Sequence, residues 1–143
     1  MTLSIVIACR RSPGRLTGAT CPIANVIVDP PGELSLWDQD ARTLRFLREL
    51  AGVVTIETTP RWGDYAIEYA ALIAQAFDGV VAVADEILGE VERDPVPISE
   101  RDLALAWRTV DERAQAALTE YDHAMRIKQR ARETPRDASR PLE

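Results

Sequence analysis

The stretch DYAIEYAALIAQAFDGVVAVADEI, residues 64–87, constrains the fold of this chain more than any other. It is too apolar to sit in water. Glu68, Gln75 and Asp78 interrupt it, and a membrane span needs ~18 or more consecutive apolar residues, so it does not read as one. Gly79 divides it. Upstream, Asp64, Glu68, Ala71, Gln75 and Asp78 recur at helical spacing as one narrow polar or small stripe. The rest of that helix must be covered. Asp64 is its expected N-cap and Gly79 its expected C′ residue. Downstream, VVAVAD has the continuous apolar character of an interior strand. A buried helix that runs through a glycine into a buried strand is a core unit.

The other elements follow from their patterns. TLSIVIAC puts Leu3, Ile5, Ile7 and Cys9 on one face and Val6 and Ala8 on the other, as in a well-buried strand. RRSPGRLTGATCP is loop. IANVIV is a second strand, DPPG a turn and ELSLW a short third strand, expected to pair as a hairpin. Asp38 or Asp40 caps the next helix, ARTLRFLRELAG. Leu44, Leu47 and Leu50 or Ala51 form its buried stripe, and Gly52 takes its C′ position. VVTIET is the fourth strand, ended by Pro60 and the turn PRWG. VVAVAD is the fifth, followed by the acidic connector LGEVERDPVP. Ser99 and Asp102 then make a capping box, with Ile98 stapled onto Leu103.

The last helix is long. Leu103, Trp107, Val110, Ala114, Ala117, Tyr121 and Met125 form one stripe. From Glu100 to Arg132 it would run ~50 Å at ~1.5 Å per residue, beyond the width of a domain with a radius of gyration of ~15 Å. Its end is expected to project or to pack on a second copy as a homodimer. The order β-β-β-α-β-α-β-α implies one α+β domain over residues 1–133. It would have a mixed five-stranded sheet, helices mainly on one face and a long C-terminal helix. Helices on both faces are the alternative. Residues 134–143 read as a disordered tail.

Charge and composition exclude several functions. The 143 residues carry a net charge of −6, which argues against nucleic-acid binding. The N-terminal run lacks the order of a secretory signal, so the expected location is cytoplasmic, with Cys9 and Cys21 reduced. His123 is the only histidine, and no ligand spacing for a metal is present, so no metal or cofactor is expected. Cys9 with His123 is a conceivable nucleophile–base pair, and a surface histidine is the preferred reading. The sequence leans away from an enzyme and assigns no catalytic residue.

Three sites remain. Arg10, Arg11 and Arg15 occur in a loop free of acids, where backbone amides and guanidinium groups suit an anion, although the P-loop pattern is absent. Residues 64–94 carry eight acids against Arg93 alone. Within that run Asp85, Glu86 and Glu90 suit a basic protein partner. Arg61, Trp62, Asp64 and Tyr65 form a turn where charges flank aromatic rings, a composition enriched in binding hot spots.

The phrase EYAALIAQAFDGVVAVADEI also resembles a theme of small bacterial α+β proteins, some of which are immunity partners in polymorphic toxin systems. There, a helix with A-x-x-(I/L)-A ends in a glycine and enters an aliphatic strand. The resemblance implies a non-enzymatic immunity or adaptor protein and assigns no functional residue. The competing expectation is a small-molecule or anion-binding domain, or a small enzyme, using the arginine loop 10–20 and the Arg61–Tyr65 turn.

Overall fold

A computed structural model of the chain describes residues 2–30, 49–83, 86–90 and 98–139; for 86–90 and 133–139 it describes the backbone alone. Strand β1 (Leu3–Cys9) is the centre of the sheet. Its odd-numbered side chains Ile5, Ile7 and Cys9 are completely buried, as their alternation requires. On one side β1 pairs antiparallel with β3 (Gly52–Thr58), Ile7 facing Val54. On the other it pairs antiparallel with β4 (Gly79–Val83), Ile7 facing Val81. Strands β2 (Asn25–Asp29) and β5 (Glu86–Glu90) extend the two sides, giving the order β2-β3-β1-β4-β5.

The expected set of five strands is not matched, and neither is the expected mixed sheet. Four of the expected strands are present. The segment ELSLW, with its hairpin to β2, and most of the helix ARTLRFLRELAG lie outside the described residues. Leu88–Glu90, read as the start of the connector, instead belongs to a strand, Glu86–Glu90, that pairs antiparallel with β4 across a bulge at Val81/Ala82. Glutamates at both ends suit an edge strand. All described pairings are antiparallel. The strand–helix–strand order suggested parallel neighbours. Strands β3 and β4 do run in the same direction, but β1 lies between them, so the connection is a split β-α-β unit.

Helix α1 (Gly63–Phe77) makes that crossover. It begins one residue before the expected cap, directly after a 3-10 turn at Pro60–Trp62, and no side chain caps it. Its buried face is Ala66, Tyr69, Ala70, Ile73, Ala74 and Phe77. Three alanines on that face bring the backbone close to the sheet. Each large side chain buried here contributes about 1.5–3 kcal/mol relative to exposure. The exposed stripe is Asp64, Ile67, Ala71 and Gln75. Glu68, expected on that stripe, is half-buried and turned toward the second helix.

Both glycines expected to end helices have other roles. The left-handed residue that closes α1 is Asp78, at φ 51°. Gly79 already belongs to β4, where a Cβ would meet Ile7 Cγ2 at 2.8 Å and the Ala74 backbone at 3.2 Å. Gly52 opens β3, where a Cβ would lie 2.6 Å from Pro13 Cδ.

Helix α2 runs from Glu100 to Ser139, 40 residues and ~60 Å at ~1.5 Å per residue. It therefore passes the expected end at Arg132 and takes in residues 134–139 of the expected tail. The helix runs through that stretch although it holds Pro135 and Asp137 beside the good helix formers Arg136 and Ala138. The N-cap half of the capping box forms, with the Asp102 N–H donating to Ser99 Oγ at 3.1 Å. Helix α2 packs against α1 on the same sheet face through Leu103, Val110 and Ala114, with Trp107, Leu118 and Tyr121 half-buried. From residue 122 to residue 132 every side chain is exposed. No helix among the described residues is long and apolar enough to cross a membrane.

Candidate functional site

The arginine loop does not gather its cations. Arg10 reaches back to the end of α1, where its Nη2 lies 2.8 Å from Asp78 Oδ1, and its Nη1 is 3.8 Å from Glu49. The backbone follows the same path, since the Arg10 and Arg11 N–H groups donate to the carbonyls of Asp78 and Phe77. Arg15 points elsewhere and pairs with Glu100 at the start of α2, at 2.7 Å. Leu16, buried beside it, pins the short 3-10 turn. The loop joins elements of the fold, and its arginines do not converge on one point.

The aromatic turn is a dock for α2. The Arg61 guanidinium lies 4.3 Å from the Tyr121 ring centroid. Trp62 meets the same ring edge-on at 5.7 Å, and Tyr65 sits 6.4 Å from Trp62. Arg113 lies 5.8 Å from the Tyr65 ring and bonds Glu68 Oε1 at 2.7 Å. Asp64 is exposed in the first turn of α1, where its charge suits the positive pole. Asp85 lies outside the described residues, and Glu86 and Glu90 are described as backbone of β5.

A second anchor lies nearer the start of α2. Tyr69, completely buried on α1, donates its hydroxyl to Asp111 Oδ1. The Trp107 ring packs 4.7 Å from Tyr69, and its Nε1–H donates to the Thr20 carbonyl at 3.2 Å. The segment after Thr20 is held in turn, because the buried Thr58 hydroxyl donates to the Ile23 carbonyl at 2.8 Å. The available signal was a tyrosine on the buried face of a helix, whose hydroxyl needs a partner.

The two thiols are held protonated. Burial, then the charge of Asp78, pushes Cys9 up to about 12. Burial, then the charge of Asp111, pushes Cys21 up to about 12, against a lowering hydrogen bond with Tyr69. Burial and the bond to Asp111 likewise raise Tyr69. A thiol is nucleophilic as its thiolate, so neither cysteine is activated. Cys9 is buried in β1 while His123 lies on the exposed part of α2, so the pair does not meet. Among the described residues no group of three His, Cys, Asp or Glu is placed to hold a metal.

The segment Thr20–Pro22 and the flank of α2 leave an open groove between them. It is lined on α2 by Asp111, Glu112, Gln115, Ala116, Thr119 and Glu120. Three carboxylates and no cationic side chain line it. Such a surface attracts a basic segment and repels an acidic one. No family model, no curated protein and no solved structure matches this chain.

Proposed function

We propose that the chain is a small non-enzymatic protein-interaction protein of the cytoplasm, of immunity or adaptor type, that takes a basic protein segment along the acidic flank of α2. The observation that carries this reading is the groove beside Thr20–Pro22, with Asp111, Glu112 and Glu120 and no cation on its lining. Its wall is rigid because Thr20 and Ile23 are bonded to Trp107 and Thr58. The small-molecule alternative is weakened at both of its supposed sites. Arg10 and Arg15 are engaged with Asp78 and Glu100, and Arg61 and Trp62 are packed on Tyr121.

Calorimetric titration with a Lys- and Arg-rich helical peptide tests the reading against a Glu-rich peptide of equal length. The basic peptide alone is expected to bind, more weakly as salt screens the charges. Glu112→Arg together with Glu120→Arg is expected to weaken it at least ~tenfold. Equal binding of both peptides, or indifference to the double substitution, would remove the reading.

A further inference from the structure

We infer that the basic segment seated in this groove is the end of α2 from a second copy of the chain. This rests on the reading of the groove as a site for basic segments. The end of α2 is an arm. Its side chains from 122 to 132 are all exposed, including Met125 at 45% and Ile127 at 52%. Over residues 122–132 it is also basic, with Arg126, Lys128, Arg130 and Arg132 against Asp122 alone.

Charge decides what covers it. Two arms laid on each other would set like charges face to face, which disfavours that pairing. The arm needs an acidic surface, and the groove on the preceding turns of the same helix is one. The lengths agree. Asp111 to Glu120 covers ~14 Å of helix, and residues 122 to 132 cover ~15 Å. The two segments adjoin at Tyr121. A two-fold axis beside Tyr121, with α2 antiparallel to its copy, therefore lays each arm on the other's groove. Counting equal steps from the axis, Arg132 faces the turn of Asp111 and Glu112. Ile127, on the same side of the helix as the groove residues, faces Gln115 beside Ala116, where the alanine leaves room for it. Each copy gives one arm and receives one, so the contact closes as a dimer.

Sedimentation equilibrium at about 10 µM tests this. The unaltered chain is expected to be a dimer. Reversing the arm (Arg126→Glu, Lys128→Glu, Arg132→Glu) is expected to raise the dissociation constant at least ~tenfold, and Glu112→Arg on the groove to raise it as well. Combining the two is expected to restore the dimer, which a merely misfolded variant would not do. A chain still monomeric at about 100 µM, a dimer indifferent to both reversals, or no restoration overturns the inference. A peptide of residues 120–132 added to the arm-reversed chain separates the two claims. If it binds while the unaltered chain is monomeric, the groove reading stands and the second copy is wrong. If it does not bind, the groove reading fails as well. A monomeric chain whose arm binds an acidic peptide would give the arm to a different protein.

Discussion

Helices α1 and α2 lie on the same face of the same sheet and are built on opposite plans. Helix α1 has 15 residues, eight of them buried, and no side-chain cap. Helix α2 has 40 residues, and among its described side chains only Leu103, Val110 and Ala114 are buried. One helix exists because the sheet covers it. The other is tied by Glu100 to Arg15, by Trp107 and Asp111 to Tyr69, by Arg113 to Glu68 and by Tyr121 to the Arg61–Trp62 turn, and then leaves the body. Tertiary packing supplies most of a helix's stability in water, so among the described residues the exposed end of α2 is the part most in need of a cover.

Truncations should separate the two helices most sharply. Ile73→Ala in α1 is expected to cost about 2–5 kcal/mol, because it opens a cavity under a completely buried side chain. Met125→Ala, measured at a concentration where the chain is monomeric, is expected to stay within about 0.5 kcal/mol. Urea midpoints compare them. Equal losses would mean that the end of α2 is packed in the monomer.

Gly79→Ala examines the closeness of α1 to the sheet. The new methyl would meet Ile7 at 2.8 Å and backbone at 3.2 Å, and the expected loss is about 1–3 kcal/mol. A neutral result would mean that α1 has room to lift off β1.

Alkaline pH probes the layer between the helices and the sheet. Cys9 and Cys21 are raised from an ordinary 9.0 to about 12, so the folded chain keeps protons that the unfolded chain releases. The stability linked to them is fully present below pH 9 and is lost as the pH climbs from 9 toward 12. Denaturation series at stepped pH should show that decline, and Cys21→Ser should shrink it. A flat profile over this range would mean that both thiols sit in water.

The smallest effect concerns the exit of α2. Arg61→Ala removes the cation over Tyr121 and is expected to cost about 0.5–1 kcal/mol. Hydrogen exchange should quicken near Tyr121 and remain unchanged near Leu103. Uniform quickening would mean that α2 is held as a single unit.

Periodicity made the helices and four strands legible, because burial on one face leaves a pattern in sequence: Ile5, Ile7 and Cys9 in β1, or Leu103, Val110 and Ala114 in α2. Strand order was not legible. Nothing local to β3, α1 and β4 says that β1 will insert between them. Leu88–Glu90 reads as connector because an edge strand needs few apolar residues. Gly52 and Gly79 looked like helix ends because a glycine that admits a close neighbour and one that admits a left-handed turn are the same letter. Arg61, Trp62 and Tyr65 read as a binding turn from their composition, while Arg61 and Trp62 pack on Tyr121 of the same chain. The acidic groove escaped notice because Asp111, Glu112 and Glu120 are ordinary on a helix surface until Thr20–Pro22 is laid beside them.

Hydrogen exchange along α2, at about 1 µM and again at about 100 µM, tests most directly whether one half of the helix is tied to the body while the other awaits a second copy. The expected result is slow exchange from Leu103 to Tyr121 at both concentrations and slow exchange from residue 122 to residue 132 only at the higher one. Exchange in 122–132 that ignores concentration, whether fast or slow in both samples, would contradict it.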